Sequence, residues 1–475
     1  MTHERQVYLL DPQKLPPETI AVTFAKTSRS PESFRQIAAD LTDQKSSEFN
    51  EKWVVGYGHS SVAEHAVLHI AVENASRLAV ECIESNRLAS FTEKSTRYQT
   101  WSPDAYILPD EWKQSPLLAK YQDISQKCFD DYARFIPVVQ PAAEAEYPKQ
   151  DGESDATYKH RIRSLTIDVC RYLLPASSLA NVGITINARA LEHAIGKMLS
   201  HPLNEVRQIG KEIKAAAREV TPTLLKYADS IPYLSEIDSK FAALKSNPQA
   251  ATEPWFRLLA WDKDAVDHLL AAVYYRFAQE AAMSYPQARQ TIESMEPQVK
   301  ADLLRVLLIE RGRHTIPLRE LEHITFEFEA TLDQGAYYEV KRHRMMTLTP
   351  RPLTAKLGYA LPRLIATAGL EDEYHRVMQT AKKVYEHLSE ENPDAAAYVV
   401  PNAFNRRFLI SINLRSAMHF ISLRSAPNAH FAIRRMATKL AEEIERVIPE
   451  LHGLLPVCTD ESAESIERTF FGQIA

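Results

Sequence analysis

Arginine, glutamate and serine are spaced along this chain in a way that suits an anionic ligand. In "SNRLASFTEKSTRYQT", residues 85–100, Glu93, Ser95 and Arg97 fall on alternate positions. Alternate side chains of an extended segment share one face. An acid, a hydroxyl and a guanidinium on one face make a cradle for a polar, phosphorylated ligand, because guanidinium gives paired, charge-assisted bonds to such groups. Ser95 needs only to donate or accept a hydrogen bond there, so it need not be a nucleophile. Other arginines stand out further along: Arg171 before "YLLP", Arg342 and Arg344 in "KRHR", Arg415 in "NLR", and Arg424.

Composition bounds the class. The chain has 475 residues, 45% apolar and 25% charged, enough to bury a large core and long enough to favour two or more domains. A formal charge of −6 supplies no overall basic field for nucleic acid, so an arginine cluster acts locally on a small anion. The start "MTHERQVYLLDPQ" does not read as a signal peptide, and no apolar run reaches the roughly 20 residues that span a bilayer. Cys82, Cys128, Cys170 and Cys458 are scattered, which argues against a disulfide framework or a metal knot and favours a reducing cytoplasm. Glycine numbers only 12, with no G-x-G-x-x-G or G-K-[ST] loop, so a Rossmann or P-loop site is not expected.

The elements that must hold these residues are mostly helical. Ser115–Val139, Leu203–Ala228 and Ala432–Leu455 carry apolar residues at three- and four-residue spacings, the amphipathic pattern. Glu64–Asn74 and Glu322–Thr331 alternate apolar with polar residues, as half-buried strands do. The tract 140–161 reads as an exposed insertion and 235–255 as a linker. The expected class is α+β, with lobes at 1–234 and 256–475.

The two strand patches belong to an internal repeat. Each opens on Glu-His, at Glu64-His65 and Glu322-His323, and each leads into an arginine-bearing turn. Downstream, Arg171–His193 aligns without gaps on Ala397–His419, pairing Pro175 with Pro401, Asn187 with Asn413, Arg189 with Arg415 and His193 with His419 at one offset of 226 (413 − 187). Two blocks repeating in the same order argue against chance.

The motifs "GHSSVAEHA", "NRLASFTEKSTRY", "LLP…NARALEH", "KRHRMMTLTPRPLT" and "VVP…INLRSAMHFISLRSAPNAHFAIRR" resemble the flavin-dependent thymidylate synthases, whose signature is Arg-His-Arg-x-x-Ser-x-Asn-Glu-x-Ser-x-Arg. The resemblance covers most of the chain twice. It implies two tandem, pseudo-twofold-related lobes of that fold, an antiparallel-rich sheet with helical bundles in each.

Neither lobe keeps the whole signature. The first has the tail Ser90, Glu93, Ser95 and Arg97 but Ser85-Asn86-Arg87 at the head; the second has the head Arg342-His343-Arg344 but prolines, Pro350 and Pro352, in the tail. Arg171 faces Ala397 in the alignment, and Arg424 faces Met198. These losses are complementary, which implies one composite site drawn from both lobes or from two copies.

By resemblance, the substrate dUMP is held by Glu93, Lys94, Ser95, Thr96, Arg97, Arg171, Arg342 and Arg424, with Arg424 acting catalytically on the negative charge that develops on the pyrimidine. FAD falls to Ser61, Glu93, Arg342, His343, Arg344, Asn413, Arg415 and His419, and His59 lies on the folate side. Departures from the family pattern are Thr92 and His419, each for an Asn, and Glu339 for a frequent Gln. Glu339 would repel a phosphate if it pointed inward. The reading is methylation of dUMP to dTMP with methylenetetrahydrofolate and NADPH. The alternatives are the same chemistry on another pyrimidine nucleotide, or a non-catalytic flavin- or nucleotide-binding relative. The expected assembly is a homodimer imitating a tetramer, with no metal, nucleic acid or membrane involved.

Overall fold

The structure, a computed structural model, describes residues 6–472 apart from 29, 57–59, 96, 98, 245–252 and 311–314. It is α+β, with two antiparallel sheets. The first contains β1 (Val67–Ser76), β2 (Ala89–Glu93) and β3 (Leu179–Asn187) in the order β1-β3-β2. The second contains β4 (Phe256–Trp261), β5 (Thr325–Asp333), β6 (Thr347–Pro350) and β7 (Asn405–Asn413) in the order β4-β5-β7-β6. In β5, Phe326, Phe328 and Ala330 are buried while Thr325 and Glu327 are exposed, the alternation read from the sequence.

The repeat extends to register and capping. Val67 pairs with Asn187 and Thr325 with Asn413, then Leu68 with Ile186 and Phe326 with Ile412. Ser76 and Asp333 each cap the helix that follows, accepting from Ala79 and Ala336. Asn187 and Asn413 do the same for Ala190 and Ser416. A bulge between Val72 and Ala75, with Asn74 at φ 56°, adds one residue to the first lobe. It accommodates the change of offset between the lobes from 258 (323 − 65) before it to 257 (333 − 76) after it.

The lobes meet about a local twofold axis. Pro175 bridges Pro401, Ala176 N–H donates to the Val400 carbonyl at 3.0 Å, and Asn402 N–H donates to that of Leu174 at 2.9 Å. Ser177 N–H to Tyr398 and Ala403 N–H to Tyr172, at 2.8 and 3.0 Å, repeat the reciprocity. This is the self-complementary contact that a symmetric dimer makes, here within one chain.

A continuous core runs through both lobes and fully buries Trp112, Tyr172, Tyr398 and Phe404. Each such side chain contributes roughly 1.5–3 kcal/mol of transfer free energy. Polar contacts also cross between lobes: Tyr398 donates to Glu205, which is bonded to Ser76 as well.

Residues 140–161 are not a loop. A helix, Leu118–Glu146, runs on through Pro137 and Pro141, and a second, Asp155–Cys170, follows after a short turn. The second lobe has the helix Glu371–Glu391 and the one-turn helix Pro393–Ala396 in this place. The helix expected over Leu203–Ala228 spans Asn204–Arg218, and that expected over Ala432–Leu455 spans Phe431–Val447. In the expected linker, helix Pro232–Ala242 buries none of its residues, and 245–252 lie outside the described residues.

Candidate functional site

Ser95, Arg97, Arg171, Glu339, Arg342 and Arg424 line one cavity of about 300 Å³ between the lobes. Each arrives on a different support. Ser95 and Arg97 follow β2, and Arg171 opens the 3-10 turn Arg171–Leu173 beside the pseudo-twofold axis. Glu339 lies in the last turn of helix Gln334–Val340, Arg342 comes two residues after that helix, and Arg424 ends helix Leu414–Arg424. The axis is what brings segments so distant in sequence to one place.

Carboxylates organise the guanidiniums. Asp168 accepts from Arg97 Nε at 2.8 Å and from Nη2 at 2.7 Å. Glu339 accepts from Arg171 at 3.2 Å through Oε1 and from Arg424 at 3.0 Å through Oε2, so it bridges the lobes. Glu93 is ion-paired to Arg77 and, at 3.1 Å, to Arg342, bridging them again. Among the described residues, five guanidiniums face three carboxylates.

The electrostatics follow. Burial pushes the Glu339 carboxyl up, but Arg171, Arg97, Arg424 and Arg342 outweigh it and hold the group below its ordinary value. Glu93 behaves alike: burial is overcome by Arg77, Lys341 and Arg342. His343 is pushed down to about 3 by burial and by the nearby Arg424, His419 and Arg342. It is therefore a neutral acceptor, and Arg424 Nε donates to its Nε2 at 2.9 Å.

A second cavity, of about 770 Å³, adjoins the first and shares Arg342, Ser422, Leu423 and Arg424 with it. His343, Arg344, Arg415 and His419 line it together with apolar Ile316, Met345 and Ile412. Arg344 stands over the Phe91 ring at 5.6 Å, and His343 meets Phe420 edge-on at 4.7 Å. Cations, neutral imidazole and apolar surface together fit a planar ring system carrying phosphates, so the residues suit a flavin nucleotide.

Other expected residues lie elsewhere. Lys94 leaves the cradle and places its ammonium 4.6 Å over the Trp101 ring, because it alternates with Glu93 and Ser95 and so faces the other way. Asn413 spends its side-chain oxygen on the cap of the following helix. Ser61 is exposed in the turn Ser60–His65 and lines neither cavity. His59 and Thr96 lie outside the described residues. Glu322 pairs with Arg415 at 2.7 Å, and Glu64 pairs with Arg189 in the other lobe. The contact recurs in both lobes, so it serves the scaffold as well as fixing Arg415 in the wall of the second cavity.

Two groups were missed in the sequence. Arg77, buried, lies 4.0 Å over the Tyr338 ring and holds Glu93. Asp168 sits on the helix Asp155–Cys170. The only signal for Arg77 was a cation directly after an apolar strand, where its counterpart is Gln334. Asp168 gave none.

A family model described as thymidylate synthase complementing protein matches residues 10–223 and again 267–450. A UPF0159 protein of Thermoplasma acidophilum is 27% identical over 446 residues, 87% of this chain and 89% of the relative. A second UPF0159 protein, of Chlamydia muridarum, is 28% identical over 88% of this chain and 83% of its own length. A flavin-dependent thymidylate synthase of Clostridium tetani is 25% identical over 45% of this chain and 82% of the synthase. A crystal structure of a flavin-dependent thymidylate synthase from Helicobacter pylori, complexed with FAD and dUMP, aligns at 19% identity and a TM-score of 0.32, covering 44% of this chain and all (100%) of that one.

Proposed function

Since this chain belongs to the thymidylate synthase complementing protein family, we propose that it methylates dUMP to dTMP, taking the methylene from methylenetetrahydrofolate and reducing equivalents from NADPH, at one composite site within the chain. The observation that carries the reading is the single cavity lined by Arg97 and Arg171 from one lobe and Arg342 and Arg424 from the other. Its excess of guanidiniums over carboxylates among the described residues suits a phosphate.

In this reading, Arg97, Arg171 and Arg342 bind the phosphate through planar guanidiniums, which lysine would not replace. Arg424 faces the pyrimidine and stabilises the negative charge that develops on the ring, a fixed cation in a site partly closed to water. Its direction is set by His343, whose neutral Nε2 holds Arg424 Nε. Glu93 positions Arg342 and Arg77. Arg342, His343, Arg344, Arg415 and His419 would hold FAD, which supplies the redox chemistry when bound.

The lobes are assigned to 1–234 and 256–475. Ser61, exposed and in the lining of neither cavity, would serve a flavin across a contact with a second copy, which is the reason to propose a homodimer. The described cysteines are all free, in keeping with a cytoplasmic protein; among the described residues no helix is long and apolar enough to cross a membrane.

Glu339 favours a second reading, the same chemistry on a different pyrimidine nucleotide, since its carboxylate stands where Arg171 and Arg424 converge. Complementation of a thymidine auxotroph by the intact chain and by Arg424→Ala, alongside the flavin spectrum of the purified protein, tests the proposal. Growth with the intact chain alone supports it. No growth from a yellow, folded protein rejects dUMP as the substrate, and a colourless protein that takes up no FAD rejects flavin catalysis.

A further inference from the structure

The twofold axis generates a counterpart of the arginine cradle on its other side. There Ser85 replaces Arg342, Cys82 replaces Glu339, Met198 replaces Arg424 and Ala397 replaces Arg171. Loss of four ligands with no further change would leave an apolar void or a collapsed seam. Instead a cavity of about 540 Å³ remains, and it is lined by different cations.

These cations have been introduced at positions that are uncharged or oppositely charged in the other half. Lys197 corresponds to Leu423, Arg406 to Ala180 and Lys341 to Glu84. Two of them are neutralised within the protein: Lys341 by Glu84 at 2.8 Å and Arg406 by Glu81 at 2.7 and 2.9 Å. Three lining cations lack any such partner among the described residues. Lys197 donates to Ser85 Oγ at 2.6 Å and to Asn86 Oδ1 at 2.9 Å. Arg87 donates to the Met346 carbonyl at 3.1 Å and to Thr347 Oγ1 at 3.2 Å, and Arg344 stands over Phe91. In the cradle, by contrast, every arginine named has a carboxylate.

With Glu81 and Glu84 already paired, these three cations face one remaining lining acid, Asp394, which leaves two positive charges beside apolar Leu78, Tyr337 and Met346 among the described residues. Lys197 and Arg344 are half-buried and Arg87 is exposed, and holding the half-buried pair without a counter-ion carries a desolvation cost. Burial indeed disfavours the charged form of Lys197 and lowers its pKa. A carboxylate would balance one of the two charges, whereas a phosphate monoester balances both, and lysine binds phosphate as a point charge.

We propose that this mirror cavity is a second ligand site that takes a phosphate monoester through Lys197 and Arg87, with Arg344, shared with the flavin cavity, at its edge and the apolar part of the ester against Tyr337 and Met346. The site also shares Arg87, His343, Arg344 and Met346 with the cavity assigned to the flavin. Its occupant would therefore touch the wall of the cofactor pocket. The inference does not depend on the reaction proposed above.

The test is calorimetry on the full-length, flavin-loaded chain with phenyl phosphate as probe and benzoate as comparison. Arg97→Gln disables the cradle, and Lys197→Met disables the mirror cavity. Ser85→Asp, at an exposed helix end, sets a resident carboxylate beside Lys197 and keeps the experiment decisive if Lys197→Met does not fold. Phenyl phosphate binding that survives Arg97→Gln but weakens tenfold or more in Lys197→Met and Ser85→Asp is the expected result. Binding lost in Arg97→Gln and unchanged in the other two overturns the proposal, since the cradle alone would then hold phosphate. Equal binding of benzoate overturns the ligand class. Loss of flavin from Lys197→Met, with phosphate binding intact, would make the cavity part of the cofactor site.

Discussion

Glu84 and Lys341, equivalent positions of the two lobes, form an ion pair at 2.8 Å with both side chains buried. A homodimer built from either lobe would bring Glu against Glu or Lys against Lys near the axis. The tandem chain is free of that constraint because its two halves need not share a sequence.

Breaking this pair should be costly. Lys341→Met leaves Glu84 buried and uncompensated, with an expected loss of ~3–5 kcal/mol of stability. Exchanging both residues, Glu84→Lys with Lys341→Glu, should recover much of that loss. Denaturant unfolding of the three variants and the parent measures it; a loss below about 1 kcal/mol for Lys341→Met would show that the pair is effectively solvated.

Glu339 gives a separable prediction about the ligand. Removing its charge with Glu339→Gln frees Arg171 and Arg424 for an incoming anion, so dUMP should bind at least about tenfold tighter, or ~1.4 kcal/mol. Deoxyuridine, which lacks the phosphate, should bind the variant and the parent alike. Equal gains for both ligands would mean that Glu339 acts on the base, and weaker binding of both would mean that it chiefly holds the arginines in place.

Equivalent positions should respond unequally. Arg424→Ala should abolish turnover while the protein stays folded, because a charge set against the substrate ring is removed. Met198→Leu, its counterpart, is a volume-conserving change in a buried place and should cost less than ~1.5 kcal/mol. Steady-state kinetics and thermal melts on both variants decide; comparable loss of activity would reverse the assignment of lobes.

Acid should destabilise the site through His343. Its folded pKa, about 3, lies below the ordinary 6.5, so between these values the unfolded chain binds the proton that the folded chain refuses. Stability therefore falls as pH drops from 6.5 towards 3. Glu339 and Glu93, whose folded pKa values are depressed, add stability above the ordinary glutamate range that is lost as pH falls through their folded values. His343→Asn keeps an acceptor for Arg424 and removes the titration, so its melting temperature should fall less steeply over that range. Parallel curves for variant and parent would refute this role.

The repeat was legible in the sequence because one constant offset pairs Pro175, Asn187, Arg189 and His193 with their counterparts, and the caps at Asn187 and Asn413 confirm why those positions recur. The cradle arginines were legible for the same reason: their losses are complementary. What stayed hidden was pairing across the axis. Asp168 lies 71 residues from Arg97, and no spacing rule joins a helix to an irregular segment at that distance. Lys94 was placed with the ligand by resemblance alone, whereas alternation along the chain turns its side chain toward Trp101. Residues 140–161 misled through composition, since Pro, Gly and acids suggest a loop, whereas the helix tolerates Pro137 and Pro141 and buries Val139 and Ala143.

The bridge between Pro175 and Pro401 has a kinetic meaning. In an assembly of separate subunits, a site shared across such an axis exists only above the concentration at which the subunits associate. Here the partners are tethered, and the effective concentration of one lobe about the other is set by the connecting chain, in the millimolar range for a short flexible tether. Closing the axis is then a first-order event. Dilution that would empty the shared pocket of a dimer leaves this one assembled, and nucleotide binding per chain should stay constant down to concentrations where any contact between whole copies has come apart.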